Sequence, residues 1–168
     1  KEFTLTPENL VICDAEKPVA LAGIMGGLNS EIEAETRGVL FECAKFERAN
    51  VRRTSRALGQ KSDSSARYEK GVDSYTTGIA INRALHLVQE LGCGKIARDR
   101  FDVNAEETKP IVVETSVSAI NALLGIEVPK EEIKRILTSL NFSVTSRGDA
   151  LTVTAPAYRE DIEGYPDI

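Results

Sequence analysis

Apolar positions recur along this chain with two periods, and the switches between them mark out its elements. Leu10 to Asp14 and Val19 to Gly23 are short apolar runs separated by the polar turn Ala15-Glu16-Lys17-Pro18. That pattern predicts a hairpin whose second strand runs into Met25-Gly26-Gly27. Val39 to Ala44, with β-branched and aromatic content, predicts a further strand. From Glu47 to Leu58 the pattern turns helical, and Gly59 supplies the stop. Ile81, Ala84, Leu85, Val88 and Leu91 then form one apolar stripe at helical spacing. They predict a helix over 74–91, ended by Gly92-Cys93-Gly94, with a strand to follow over 95–103.

The polar, proline-terminated stretch 104–110 reads as a boundary, giving domains 1–105 and 106–168. In the second part, Ile111 to Glu114 predicts a strand and Ser116 to Leu124 a helix closed by Gly125. Pro129 suits the first turn of the next helix, whose apolar positions are Ile133, Ile136, Leu137 and Leu140. Phe142 to Thr145 and Leu151 to Thr154 alternate as a hairpin around the turn Arg147-Gly148-Asp149. The fold class expected is α+β: a mixed first domain, then a small winged-helix-like module of two helices and a β-hairpin.

The chain has 168 residues, 42% of them hydrophobic and 28% charged, so a packed core is expected and global disorder is not. A net charge of −5 excludes a uniformly basic nucleic-acid binder. It leaves room for a local patch: residues 45–70 hold eight basic and three acidic side chains, a local +5 against −10 elsewhere. Such contrast suits a phosphate backbone or an acidic neighbouring domain, and equally a solvated helix face. No run approaches the roughly 20 apolar residues that span a bilayer, so no membrane contact is expected. Cys13, Cys43 and Cys93 are odd in number and form no CxxC pair, which points to a reducing cytoplasm and to buried, inert thiols. Met25 is the one methionine, and no signal peptide is visible, so the chain is expected to be an internal piece of a longer protein.

Met25-Gly26-Gly27 follows a strand without a clear helix after it, a poor match to a phosphate-binding loop. Paired glycines mark either a tight turn or bare backbone approaching a ligand. Glu42 lies within an apolar strand pattern, on the face of Leu40 and Ala44. It is either solvated or, if buried, in need of a partner such as a ligand hydroxyl. His86 is the one histidine, too little for a Ser-His-Asp triad or a multi-His metal site, and it reads as structural. Arg147-Gly148-Asp149 is a hairpin turn. Asp161 and Asp167 offer two carboxylates to a hard cation, which would need further ligands.

The segments Lys17-Pro-Val-Ala-Leu-Ala-Gly-Ile-Met-Gly-Gly27, Val39-Leu-Phe-Glu-Cys-Ala44, Arg52-Arg-Thr-Ser-Arg56 and Ser64-Ser-Ala-Arg-Tyr-Glu-Lys-Gly-Val-Asp73 together resemble bacterial phenylalanyl-tRNA synthetase beta subunits, in their order and spacing. The tail Thr154-Ala-Pro-Ala-Tyr-Arg-Glu-Asp161 resembles the end of that family's next module. The resemblance implies that 1–105 is most of a B3/B4 tRNA-editing domain and 106–168 a B5 domain. It implies an editing pocket in which Glu42 reads a tyrosine hydroxyl, Gly26 and Gly27 line the site, and Ser62 and Ser64 stand in the wall. The family often has Thr and Ala at the last two positions. It further implies hydrolysis of tyrosine mischarged onto tRNA(Phe), within an ATP-dependent ligase paired with an alpha subunit as an alpha2beta2 heterotetramer. ATP would be used by the parent enzyme and not bound by this piece. Mg²⁺ would involve Asp161 and Asp167 together with glutamates beyond Ile168. A histidine of the family's pocket lies upstream of Lys1, so the chain alone is expected to be inactive. Two other readings compete: a nucleic-acid-binding winged-helix module, and a purely architectural module for subunit assembly.

Overall fold

The computed structural model describes residues 1–104 and 109–168, which fall into two compact units, 1–96 and 97–168. The expected boundary between 105 and 106 lies outside the described residues.

In the first unit, β1 (Val11–Cys13), β2 (Pro18–Leu21) and β3 (Met25–Gly26) form an antiparallel meander. The Asp14 carboxylate accepts from the Glu16 and Lys17 N–H groups, each at 2.8 Å, and so builds the turn. Pairing shifts between Ile12 and Cys13, which brings Cys13 opposite Pro18. Proline is tolerated there because it opens the strand. A short 3₁₀ turn over Leu28–Ser30 follows β3.

Helix α1 (Arg48–Ala57) begins at Glu47, whose carboxylate accepts from the Ala49 and Asn50 N–H groups. It turns Val51, Thr54 and Ser55 inward. Val51 is fully buried and Ala22 and Ile24 nearly so. The two buried hydroxyls are satisfied: Ser55 donates to the Gln60 carbonyl at 2.7 Å, and Thr54 accepts from Asn9 at 3.2 Å. Helix α2 (Asp63–Tyr68) opens on a capping box between Ser62 and Ser65. Helix α3 (Tyr75–Glu90) lies where its stripe predicts, although none of its residues is fully buried.

Three expectations for this unit need correction. Residues 39–44 form no strand, and Leu40 is 91% exposed. Alternation marks a segment that fits a pleated sheet, but a strand also needs a neighbour to share its hydrogen bonds, and these residues have none in the described chain. Residues 95–103, which run from this unit into the next, likewise show no strand pairing. Cys13 and Cys93 are exposed and only Cys43 is half-buried, so the thiols are free but not core residues.

The second unit has the sheet order β4-β6-β5, all antiparallel: β4 (Val112–Ser116), β5 (Ser143–Arg147) and β6 (Ala150–Thr154). Between β4 and β5 come α4 (Val117–Leu124) and α5 (Lys130–Ser139). Ser116 caps α4 through its hydroxyl and Gly125 ends it. Pro129 stands one position earlier than expected, as the N-cap of α5. The Asn121 side chain clips the connection by accepting from Val128 N–H and donating to Val128 O. Val113, Ile120, Ile133, Leu137, Leu151 and Val153 join Phe142 and Ile162 in one core. Each such buried side chain contributes about 1.5–3 kcal/mol relative to exposure. Ile136 and Leu140, expected on that face, are instead 41% and 53% exposed, because the core stripe of α5 narrows to Ile133 and Leu137. The architecture is α+β, as the pattern predicts.

Candidate functional site

The loop from β2 into β3 gathers the first unit's candidate residues. Gly23 has φ +67°, and a Cβ there would lie 2.9 Å from Phe46 Cδ2 and 3.2 Å from Tyr68 Cγ. Only glycine lets the backbone pass so close beneath these rings. The rings pack with centroids 5.1 Å apart and planes tilted by 54°. Tyr68 also donates its hydroxyl hydrogen to the Ala44 carbonyl at 3.1 Å, holding the end of the 39–44 segment.

Ser62 and Ser64 close the same loop from α2. Ser62 donates to the Ile24 carbonyl at 2.6 Å and Ser64 to the Gly23 carbonyl at 3.0 Å. Both hydroxyl hydrogens are therefore committed to the main chain just ahead of Met25-Gly26. The two serines hold the wall in place, and their donors are not available to a ligand.

The paired glycines separate by role. A Cβ on Gly27 would sit 2.6 Å from Asn29 Oδ1 and 2.7 Å from the Val19 carbonyl oxygen, so its glycine is demanded by the fold. A Cβ on Gly26 would meet nothing within 4 Å. Nothing in the described chain excludes a side chain at Gly26, which leaves its bare backbone open to an approaching molecule.

Glu42 lies at the surface of the unpaired segment, yet its carboxyl is crowded enough that desolvation pushes its pKa above the ordinary glutamate value. It makes no hydrogen bond or ion pair among the described residues. Its nearness to Tyr68 shows in the phenol: burial raises the Tyr68 pKa, and the negative charges of Glu42 and Cys43 raise it further. Tyr68 is thus flanked by Glu42 on one side and the Gly23 backbone on the other. A carboxylate that is partly desolvated and unpartnered is a strong acceptor for an incoming hydroxyl.

Gly23, Phe46 and Tyr68 were not expected at the site. Their signal was faint: Tyr68 sits inside a quoted motif, but nothing local ties it to position 23. His86 is exposed, with Nε2 3.5 Å from Glu90 Oε2 on the surface of α3.

In the second unit, Asp161 and Asp167 do not form a cation cage. Arg159 takes both Asp161 oxygens in a fork at 2.7 and 2.8 Å and holds that carboxyl below the usual aspartate range. The Arg159 guanidinium also lies 5.6 Å from the centre of the Phe142 ring. Asp167 Oδ2 accepts from the Glu163 and Gly164 N–H groups, each at 3.0 Å. Among the described residues no group of three or more His, Cys, Asp or Glu side chains converges to hold a metal. A site for Mg²⁺ needs more free oxygens than this pair supplies, so the two do not fit it as they stand. No described helix is long and apolar enough to cross a membrane.

The B3/4 domain family matches residues 1–93, and the tRNA synthetase B5 domain family matches residues 113–168. The phenylalanine–tRNA ligase beta subunit of Moorella thermoacetica is 41% identical over 167 residues, which are 99% of this chain and 21% of that protein. Its counterpart in Clostridium acetobutylicum is 39% identical over 100% of this chain and 21% of its own length, and that of Salinibacter ruber 39% over 100% and 20%. The chain thus spans about a fifth of the length of the curated relatives it matches. These aminoacyl-tRNA synthetase subunits parallel it from end to end, and the chain belongs to the B3/4 domain family, with a tRNA synthetase B5 domain following.

Proposed function

We propose that the first unit is the proofreading part of a phenylalanine–tRNA ligase beta subunit, hydrolysing tyrosine mischarged onto tRNA(Phe). The observation that supports this reading is the Glu42 carboxyl, partly desolvated and without a hydrogen-bond partner among the described residues, in the unit that also carries the open backbone of Gly26. A synthetic pocket shaped for phenylalanine rejects an added hydroxyl poorly. A second pocket that hydrogen-bonds the hydroxyl rejects phenylalanine by roughly 10⁴-fold or more, because its polar group would otherwise lose its partner. Glu42 is the acceptor in this scheme, and Gly26 lets the aminoacyl group lie against main chain. Ser62 and Ser64 position that loop. Water attack rests on placement of the ester, with no general base assigned in this chain.

The chain on its own is inactive in this reading, because the backbone of Gly26 borders open space. The domains take the limits 1–105 and 106–168. Its setting is the cytoplasm, its partners are the alpha subunit of an alpha2beta2 assembly and tRNA(Phe), and ATP is used elsewhere in the enzyme. Mg²⁺ would engage Asp161 and Asp167 only with further carboxylates and with Asp161 released from Arg159.

The test is Glu42→Ala in the full-length subunit assembled with its partner. Clearance of tyrosyl-tRNA should fall roughly 10- to 150-fold, the worth of a hydrogen bond to a charged group at about 1.5–3 kcal/mol. Phenylalanine charging should be unchanged. Undiminished clearance would remove Glu42 from the pocket and the proposal with it.

A further inference from the structure

Helix α1 carries four exposed arginines, more than any other described helix. Val51, Thr54 and Ser55 point inward, and Arg48, Arg52, Arg53 and Arg56 lie on the rest of the circumference, all four exposed. At about 100° per residue, these arginines fall within one sector of roughly 140°. The other residue of that sector is Ala49, with Ala57 just beyond its edge.

Among the described residues none of the four guanidinium groups makes an ion pair or a hydrogen bond. The Glu47 carboxylate is occupied by the Ala49 and Asn50 N–H groups and feels Arg53 and Arg48 without a direct contact. Arg48/Arg52 and Arg52/Arg56 are like charges one turn apart, an arrangement that weakens a helix. Arg48 also puts a positive charge in the first turn, against the helix dipole. The fold gains little from this array beyond its pull on Glu47, which leaves most of its charge open to an outside partner.

The side chains on this face decide what kind of molecule that is. A protein partner would look for a large apolar or aromatic side chain at the centre of the contact, and this face offers only guanidinium groups and alanine. A phosphate backbone needs no such anchor. It binds by charge, and the planar guanidinium fork matches phosphate oxygens two at a time. Arg48, Arg52 and Arg56 rise along one line of the helix at about 6 Å per step, an array suited to successive groups on a strand.

We infer that the outer face of α1 binds the phosphate backbone of an RNA strand. This rests on the proofreading reading for its source of RNA: the surface would hold the strand that brings the aminoacyl ester to the loop at Gly26. α1 packs against α2, and α2 carries the serines that fix that loop.

The experiment measures anisotropy of a fluorescein-labelled single-stranded oligouridylate with the 168-residue chain over a KCl series. For four phosphate contacts, log K should fall against log[KCl] with a slope of about −2.8, at roughly −0.7 per contact for single strands. R52Q/R56Q should remove about half of that slope, whereas R52K/R56K, which keeps the charges, should retain it. Circular dichroism establishes that each variant keeps its helices. If R52Q/R56Q loses them, the wild-type slope and the lysine pair decide. A wild-type slope near zero, or the wild-type slope in folded R52Q/R56Q, overturns the inference. So does equal binding of a labelled polyglutamate with the same dependence on Arg52 and Arg56. The probe carries no tyrosyl ester, so its binding is independent of whether Glu42 reads a phenol. Failure of the Glu42→Ala test would leave this result standing, and the reverse holds too.

Discussion

The Ser62 hydroxyl donates to the Ile24 carbonyl oxygen across 2.6 Å, fastening the first turn of α2 to the loop that leads into Gly26. The Ser62 Oγ itself accepts from the Ser65 N–H at 3.1 Å, so one hydroxyl serves both as helix cap and as latch. Ser62→Ala removes both bonds. The expected loss is about 1–2 kcal/mol, at the upper end for an N-cap change. A urea titration with unchanged m value measures it, and Ser62→Thr should recover most of the loss.

Gly26 and Gly27 are adjacent, yet their alanine variants should part company. Gly27→Ala drives a methyl into the Val19 carbonyl oxygen and should cost about 1–3 kcal/mol in stability. Gly26→Ala enters open space and should stay within about 0.5 kcal/mol of wild type. In the full-length enzyme, Gly26→Ala should nonetheless slow tyrosyl-tRNA clearance. Thermal melts of both variants, read beside a deacylation assay, check the pair. Equal melting losses would show the two positions to be alike.

Glu42 sets a pH dependence of definite sign. Its folded pKa is raised by desolvation, so the folded state holds its proton more tightly than the unfolded chain. The corresponding stability is fully present below the ordinary glutamate value and is lost as pH rises through the raised one. Glu42→Gln should abolish that loss and melt higher than wild type at neutral pH. A melting series across the carboxylate range checks this, and parallel curves for the two proteins would contradict it.

Asp161 behaves in the opposite sense. Arg159 lowers its folded pKa, so its contribution is present above the ordinary aspartate value and fades as pH falls through the depressed one. Asp161→Asn should flatten the acid limb of the melting curve. Arg159→Ala should do the same and also uncover the Phe142 ring, so it should destabilise more at neutral pH. Mg²⁺ at matched ionic strength should leave the wild-type melting temperature unmoved. A saturable rise that Asp161→Asn abolishes would mean the fork with Arg159 yields readily to a cation.

What the sequence made legible follows from the range of the forces involved. Helices α1, α4 and α5 were readable because their apolar spacing and their ends are local: Glu47 at the start of α1, Ser116 and Gly125 around α4. Residues 39–44 misled because alternation describes one segment and a strand needs two. The same limit applies at the site. Gly26, Glu42, Ser62 and Ser64 were candidates by motif and resemblance, but not the way the serines fasten the loop ahead of Gly26. Tyr68 bridges position 23 to positions 42–46, a contact spanning some forty residues that no local pattern announces. Nor could spacing show that Arg159 already occupies Asp161.

Gly23 offers a final consequence, for mutational tolerance. With a left-handed backbone and two aromatic rings at contact distance, it resists replacement twice over, by conformation and by volume. Shaving Phe46 or Tyr68 to make room would relieve only the second obstacle. A library randomised at all three positions and selected for folding should therefore return glycine at 23 while the rings drift, making the smallest residue of the trio its least negotiable.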